Sequence, residues 1–163
     1  VGTPVAGRRH MDLEHIIGMF VNMLALRNYP REEMTFNQFL EEVKQGTLAA
    51  YENQEYPFED LVEKAAVERD AGRNPLFDVM FVLQNLETSE GDITDLKIKP
   101  YEYENKISKF DITLLGFEAG QKLVFTVEYS TNLFKEETIH RFIWFFKKIV
   151  YFYGIFMYNR DRG

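Results

Sequence analysis

A chain of 163 residues, 45% apolar and 15% aromatic, is one domain's worth of sequence with material for a sizeable core, which excludes intrinsic disorder. Its 19 basic and 26 acidic residues give a formal net charge of −7, so neither nucleic acid nor a polybasic membrane contact is expected. Cysteine is absent. That removes disulfides, thiolate zinc sites, iron–sulfur ligation and a cysteine nucleophile, and it fits a reducing compartment.

In chain order, Val1 to Arg9 contains Gly and Pro and reads as loop or the tail of a strand. It has no signal-peptide pattern and no initiator methionine, so the chain is expected to start inside a longer protein. Ile16 to Leu26 is almost wholly apolar and has the length of a buried strand, with a helix as the alternative by periodicity. Thr35 and Gln38 form a capping-box pattern, and Phe36, Phe39, Leu40 and Val43 follow at helical spacing. Pro57 suits the first position of a second helix, with Glu59 and Asp60 near its positive end and Phe58, Leu61, Val62 and Ala65 as its apolar face.

Leu76 to Leu83 reads as a strand buried on both faces. Thr88 to Asp95 is a polar loop, and Leu96, Ile98, Tyr101 and Tyr103 suggest an alternating strand broken near Pro100. Phe110, Ile112 and Leu114 alternate, as do Leu123, Phe125, Val127 and Tyr129, and the link from Glu118 to Gln121 makes them a hairpin. A last helix starts near Glu136, with Ile139, Phe142, Ile143, Phe146, Ile149 and Val150 on one face. The expected fold is a mixed-sheet α/β or α+β domain. The longest apolar run, Ile149 to Tyr158, falls short of the roughly 20 residues of a membrane span.

Generic catalytic signatures fail. No Gly-rich phosphate loop occurs, and Ser89, Ser108 and Ser130 lack a nucleophile-elbow context. His10 and His15 do not share the i,i+4 spacing of two ligands on one helix face, and no metal site is expected. Acid pairs such as Glu41-Glu42 and Glu136-Glu137 read as solvated helix faces or helix starts.

Three local patterns stand out. Asn22 is a single amide inside the apolar run from Ile16 to Arg27 and shares the period-two face of Phe20, Leu24 and Leu26. A buried amide without partners costs about 1–3 kcal/mol, so Asn22 bonds either to nearby backbone or to something in a substrate channel. Asn53-Gln54-Glu55-Tyr56-Pro57-Phe58-Glu59 joins two helices, as a helix-starting turn or a functional loop. Arg69-Asp70-Ala71-Gly72-Arg73-Asn74-Pro75-Leu76 packs opposite charges around a turn. That is a salt-bridge corner, or a place where Arg73 clamps carbonyls or a carboxylate.

These patterns, in this order and spacing, resemble motifs of the condensation domains of non-ribosomal peptide synthetases, of the amide-forming type. Ile17-Gly18-Met19-Phe20-Val21-Asn22 with Leu24-Ala25-Leu26-Arg27 resembles the family's fifth core motif, the stretch from Asn53 to Glu59 its sixth, and Arg69-Asp70 with Arg73-Asn74-Pro75-Leu76 its seventh. Gly2-Thr3-Pro4-Val5-Ala6-Gly7-Arg8 is similar to what precedes the fifth. Met23, Glu55 and Gly72 stand where the family usually has Thr, Asp and Ser. The likeness covers residues 1–150, and residues 151–163 are an apolar tail off the family pattern.

The resemblance implies one lobe of a two-lobed fold like that of chloramphenicol acetyltransferase, the lobes meeting in a V around a tunnel. It implies no catalytic residue here: the family's double histidine followed by Asp-Gly belongs to the N-terminal lobe, and no adjacent histidines occur in this chain. By the same resemblance, Gly18, Phe20 and Asn22 lie on the tunnel wall, and Asn53, Gln54, Tyr56, Pro57, Phe58, Arg69, Asp70, Arg73, Asn74 and Pro75 hold its structure. No cofactor is expected to bind directly; 4'-phosphopantetheine arrives on carrier domains. Expected partners are the N-terminal lobe and the carrier and adenylation domains of a cytoplasmic assembly line of antibiotic or secondary metabolism. Self-association through exposed lobe surface is also expected. A non-catalytic docking module, or a truncated inactive product, is the alternative.

Overall fold

The structure, a computed structural model, describes residues 1–13, 15–65, 72–84, 107–119 and 122–160, with side chains through residue 153 and excepting residue 119. The loop expected at 88–95, the strand expected near 96–103, and Arg69 and Asp70 lie outside the described residues.

Five strands form one mixed sheet in the order β2-β1-β3-β4-β5. β1 (Gly2–Val5) pairs antiparallel with β2 (Asn22–Ala25), Val5 opposite Asn22, and parallel with β3 (Val79–Gln84). β3 runs parallel to β4 (Ile112–Ala119), which turns back antiparallel into β5 (Lys122–Tyr129) with Leu114 opposite Val127 and Gly116 opposite Phe125. The mixed-sheet expectation and the hairpin both hold. The hairpin was legible because strict alternation leaves one face of each strand apolar.

The helices start where local chemistry puts them. α1 (Phe36–Glu52) begins on a reciprocal capping box: Gln38 N–H donates to Thr35 Oγ1 at 3.3 Å, and Thr35 N–H donates to Gln38 Oε1 at 2.9 Å. It runs straight through Gly46, around which there is open space. α2 (Phe58–Lys64) starts one residue later than expected, with Pro57 as its N-cap at φ −61°. α3 (Glu136–Arg160) continues without a break past residue 150, and the ring of Tyr153 stacks on Phe36 at 3.7 Å between centroids.

Two expectations need correcting. The apolar run from Ile16 is strand only from Asn22 to Ala25; Ile17 and Met19 are fully exposed. The carbonyls of Leu13 and Gly18 bond to the Arg8 side chain instead of to a neighbouring strand, so the run's first half is a clamped loop. β3 begins at Val79, not Leu76, and is not buried on both faces: Val79 and Leu83 keep 37% and 48% of their surface. Its central place comes from backbone pairing on both edges, with incomplete side-chain cover among the described residues. The buried set is Val5, Leu24, Val62, Phe77, Met80, Leu114 and Ile139, which joins β1–β4 to α2 and α3.

Candidate functional site

The fifth-motif pattern and the sixth meet through one side chain. Asn22 Nδ2 donates to the carbonyls of Gln54 and Tyr56, both at 2.8 Å, and its Oδ1 accepts from the Met23 N–H at 2.9 Å. Both amide protons and the oxygen are engaged. The backbone reading of Asn22 therefore describes its polar atoms, and the loop it grips begins α2. The face it shares with Leu24 stays half-buried or buried.

The turn is braced from its other side. Asn53 Nδ2 donates to the Ala49 carbonyl and Gln54 Nε2 to the Tyr51 carbonyl, each at 2.8 Å, so the last turn of α1 is capped by the residues that leave it. Arg9 donates to the Glu52 carbonyl at 3.3 Å and pairs with Glu55 at 3.6 Å. Glu55 is exposed, so that pair adds little stability. Tyr56 lies under the Lys64 ammonium, 5.1 Å from nitrogen to ring centroid. The Tyr56 side chain, which favours the charged ammonium beside it, holds Lys64 above its ordinary pKa.

Phe58 meets Phe77 edge-on at 5.8 Å, and Phe77 stacks on Phe110 at 5.7 Å. This aromatic line carries the sixth-motif turn onto the segments that lead into β3 and β4. Arg73 forms a two-pronged ion pair with Asp78, with Nε to Oδ1 at 3.3 Å and a shorter contact from Nη2 to Oδ2. The Asp78 carbonyl accepts from the Asp111 N–H at 2.9 Å. The seventh-motif corner thus fixes the entrance of β3 against β4. Asn74 Oδ1 is buried there without a partner among the described residues, and Pro75 follows it half-buried.

Gly18 and Phe20 sit on the loop before β2, with Phe20 half-buried and Ile17 and Met19 pointing outward. The sequence reading gave no role to Arg8, whose guanidinium lies 4.2 Å from the Phe20 ring centroid. The signal was present in Gly7-Arg8, but an arginine that grips main-chain carbonyls leaves no partner residue type to search for. Among the described residues no group of His, Asp and Glu is arranged to hold a metal ion, and no helix is long and apolar enough to cross a membrane. What these residues build is a junction: the apolar loop and the sixth-motif turn are joined by bonds to backbone, and the seventh-motif corner meets them through the Phe58–Phe77 contact.

One prediction arises at this junction. Asn22→Ala leaves two carbonyls and one N–H without partners, at a cost of about 1–3 kcal/mol. Urea unfolding should show a lower midpoint with an unchanged slope. Asn22→Asp, which keeps the shape but turns a carboxylate on two carbonyls, should cost at least as much at neutral pH.

The chain's residues 1–151 match the family model described as Condensation domain. Bacitracin synthase 3 of Bacillus licheniformis is 51% identical over 150 residues, which cover 92% of this chain and 2% of that protein. A four-domain nonribosomal peptide synthetase solved with AMP and glycine superposes with a TM-score of 0.78 at 23% identity, covering 88% of this chain and 12% of the other. The condensation domain from the Monacolin K polyketide synthase superposes at 0.67 with 22% identity, covering 82% of this chain and 32% of that one. Those two likenesses establish the fold, a mixed sheet with helices as in condensation-domain structures. The chain spans 2–6% of the length of the curated relatives it matches.

Proposed function

Because the chain belongs to the condensation-domain family, as its C-terminal part, we propose that it supplies one wall of the tunnel in which a peptide synthetase joins two carrier-tethered acyl groups. The family match and the peptide-synthetase relatives favour this over a free-standing docking module. In the proposed reaction the acceptor's amine nitrogen attacks the donor thioester carbonyl. A C–N bond forms, the C–S bond breaks, the amine loses a proton and the departing thiolate gains one. The proton-handling double histidine of the family is not among these residues. This lobe's part is therefore placement, and holding two tethered reactants in register supplies several kcal/mol of the barrier.

The observation that carries this reading is the grip of Asn22 on the Gln54 and Tyr56 carbonyls at 2.8 Å. It makes one connected surface of two motif patterns 32 residues apart. In the proposal, Gly18, Phe20 and Asn22 belong to the tunnel wall, and Asn22 acts there by fixing backbone. Arg73 belongs to the corner that holds the wall. The phosphopantetheine arms are the substrates' tethers, brought by carrier domains, and not a resident cofactor of this lobe. The partners are the N-terminal lobe and the carrier and adenylation domains of the same cytoplasmic assembly line.

The test loads two carrier domains with aminoacyl groups and follows dipeptidyl thioester. The parent condensation domain should form it, and the 163-residue chain alone should give no more than the uncatalysed background. A parent domain that forms none, or an isolated chain that does, would overturn the proposal.

A further inference from the structure

The loop from Ala6 to Val21 should be loose. Among its described residues the regular structure is a single 3-10 turn, Met11–Leu13, and its tip exposes Ile17 and Met19 to solvent. Yet one side chain closes it. Arg8 Nη1 donates to the Leu13 carbonyl, Nη2 reaches the Gly18 carbonyl at 3.5 Å, and the guanidinium plane lies over Phe20 at 4.2 Å. The next residue back makes that approach possible. Gly7 has φ +66°, and a Cβ there would stand 1.9 Å from the Phe20 carbonyl oxygen, so the outgoing and returning strands of the loop touch at a position only glycine can occupy. At the far end, Asn22 pins the returning strand to the sixth-motif turn. Arg9 pins the outgoing strand to the end of α1.

We propose that Arg8 is a positioning residue, which fixes the Ile17-Gly18-Met19 tip where the pantetheine-tethered acyl groups pass. This rests on the tunnel reading above. The argument for arginine is geometric. A guanidinium is a planar fork that donates to two carbonyls and stacks on a ring at once, whereas an ammonium has three donors but no fixed fork and no flat face to lay on the ring. Lysine therefore keeps the charge and loses the clamp.

In the parent condensation domain, Arg8→Ala and Arg8→Lys should both lower kcat by roughly 10–100-fold, the scale of misplacing a positioning group by about 1 Å. KM for the loaded carriers should stay within about threefold, because Arg8 grips its own loop, at Leu13, Gly18 and Phe20, and not the carrier. The folded fraction at assay temperature should be unchanged. A second readout does not depend on the reaction. The chain has no cysteine, so Ile17→Cys takes a single spin label. Its spectrum should be motionally restricted with Arg8 present and sharpen in Arg8→Ala and Arg8→Lys. Full activity of Arg8→Lys, a rate loss matched by a loss of folded protein, or a label equally restricted in all forms would each overturn the inference. If the unmutated parent makes no amide bond, the tunnel reading fails, and the label alone still decides whether Arg8 holds the tip.

Discussion

Phe77→Ala is expected to lower the unfolding free energy by about 3–5 kcal/mol, the range for deleting a buried aromatic ring. Phe77 keeps only 6% of its surface. Its ring meets Phe58 of α2 edge-on and stacks on Phe110 just before β4. It also fills the space above Gly2 in β1, where an added Cβ would come within 2.2 Å of the ring. One side chain thus ties together β1, α2 and the lead-ins to β3 and β4. A domain is stable by only about 5–15 kcal/mol, so this variant should unfold at a much lower urea concentration, with a large unfolded population at body temperature. Gly2→Val approaches the same contact from the other side and should be comparably damaging, since either the ring or the strand must move. A cost under about 1 kcal/mol for Phe77→Ala would mean that the aromatic line is not the core of this half of the sheet.

The elements that could be read from the residues are those whose causes are local. Thr35 and Gln38 specify a helix start within four residues, and they make the bonds expected of them. The alternation from Ile112 to Tyr129 specifies a hairpin because period two alone decides which side chains share a face. Asn22 was recognisable as an amide needing partners, but its partners were not, since they are main-chain carbonyls 32 and 34 residues away and every residue type carries one. Between Ile16 and Val21 apolar composition does not mean burial, for a related reason: the conformation is set by a guanidinium holding the loop's carbonyls, and Ile17, Met19 and Val21 stay exposed. The three motif patterns stand out in the residues themselves and the resemblance gives them a family; that two of them are bonded to each other appears only in the fold.

The isolated chain is expected to self-associate, increasingly so as salt is added. Much of α3 is apolar on more than one side: Trp144, Phe145, Ile149, Tyr151 and Phe152 are all more than half exposed. Between α3 and the β4–β5 hairpin runs a groove of about 870 Å³, with Leu114, Phe125 and Val127 on one side and Phe142, Ile143 and Phe146 on the other. Exposed apolar surface beyond a few hundred Å² marks an interface in most soluble proteins. The sheet adds two further liabilities, since β2 and β5 stand at its ends among the described residues and can pair with other chains. Opposing this is the net charge of −7, which keeps copies apart at low ionic strength. Screening shortens to about 3 Å in 1 M salt, while the apolar attraction does not weaken, so the balance should tip toward association. Sedimentation across a concentration series at low and high salt reads the mass, and a hydrophobic dye reads the patch. Trp144 is the only tryptophan, so its emission should shift to shorter wavelength as copies cover it. Replacing Phe145 and Phe152 by Lys should reduce both association and dye binding without unfolding the chain, because neither side chain is in the buried set. A chain that stays monomeric in high salt, binds no dye and keeps its tryptophan emission unchanged would show that α3 needs no covering partner.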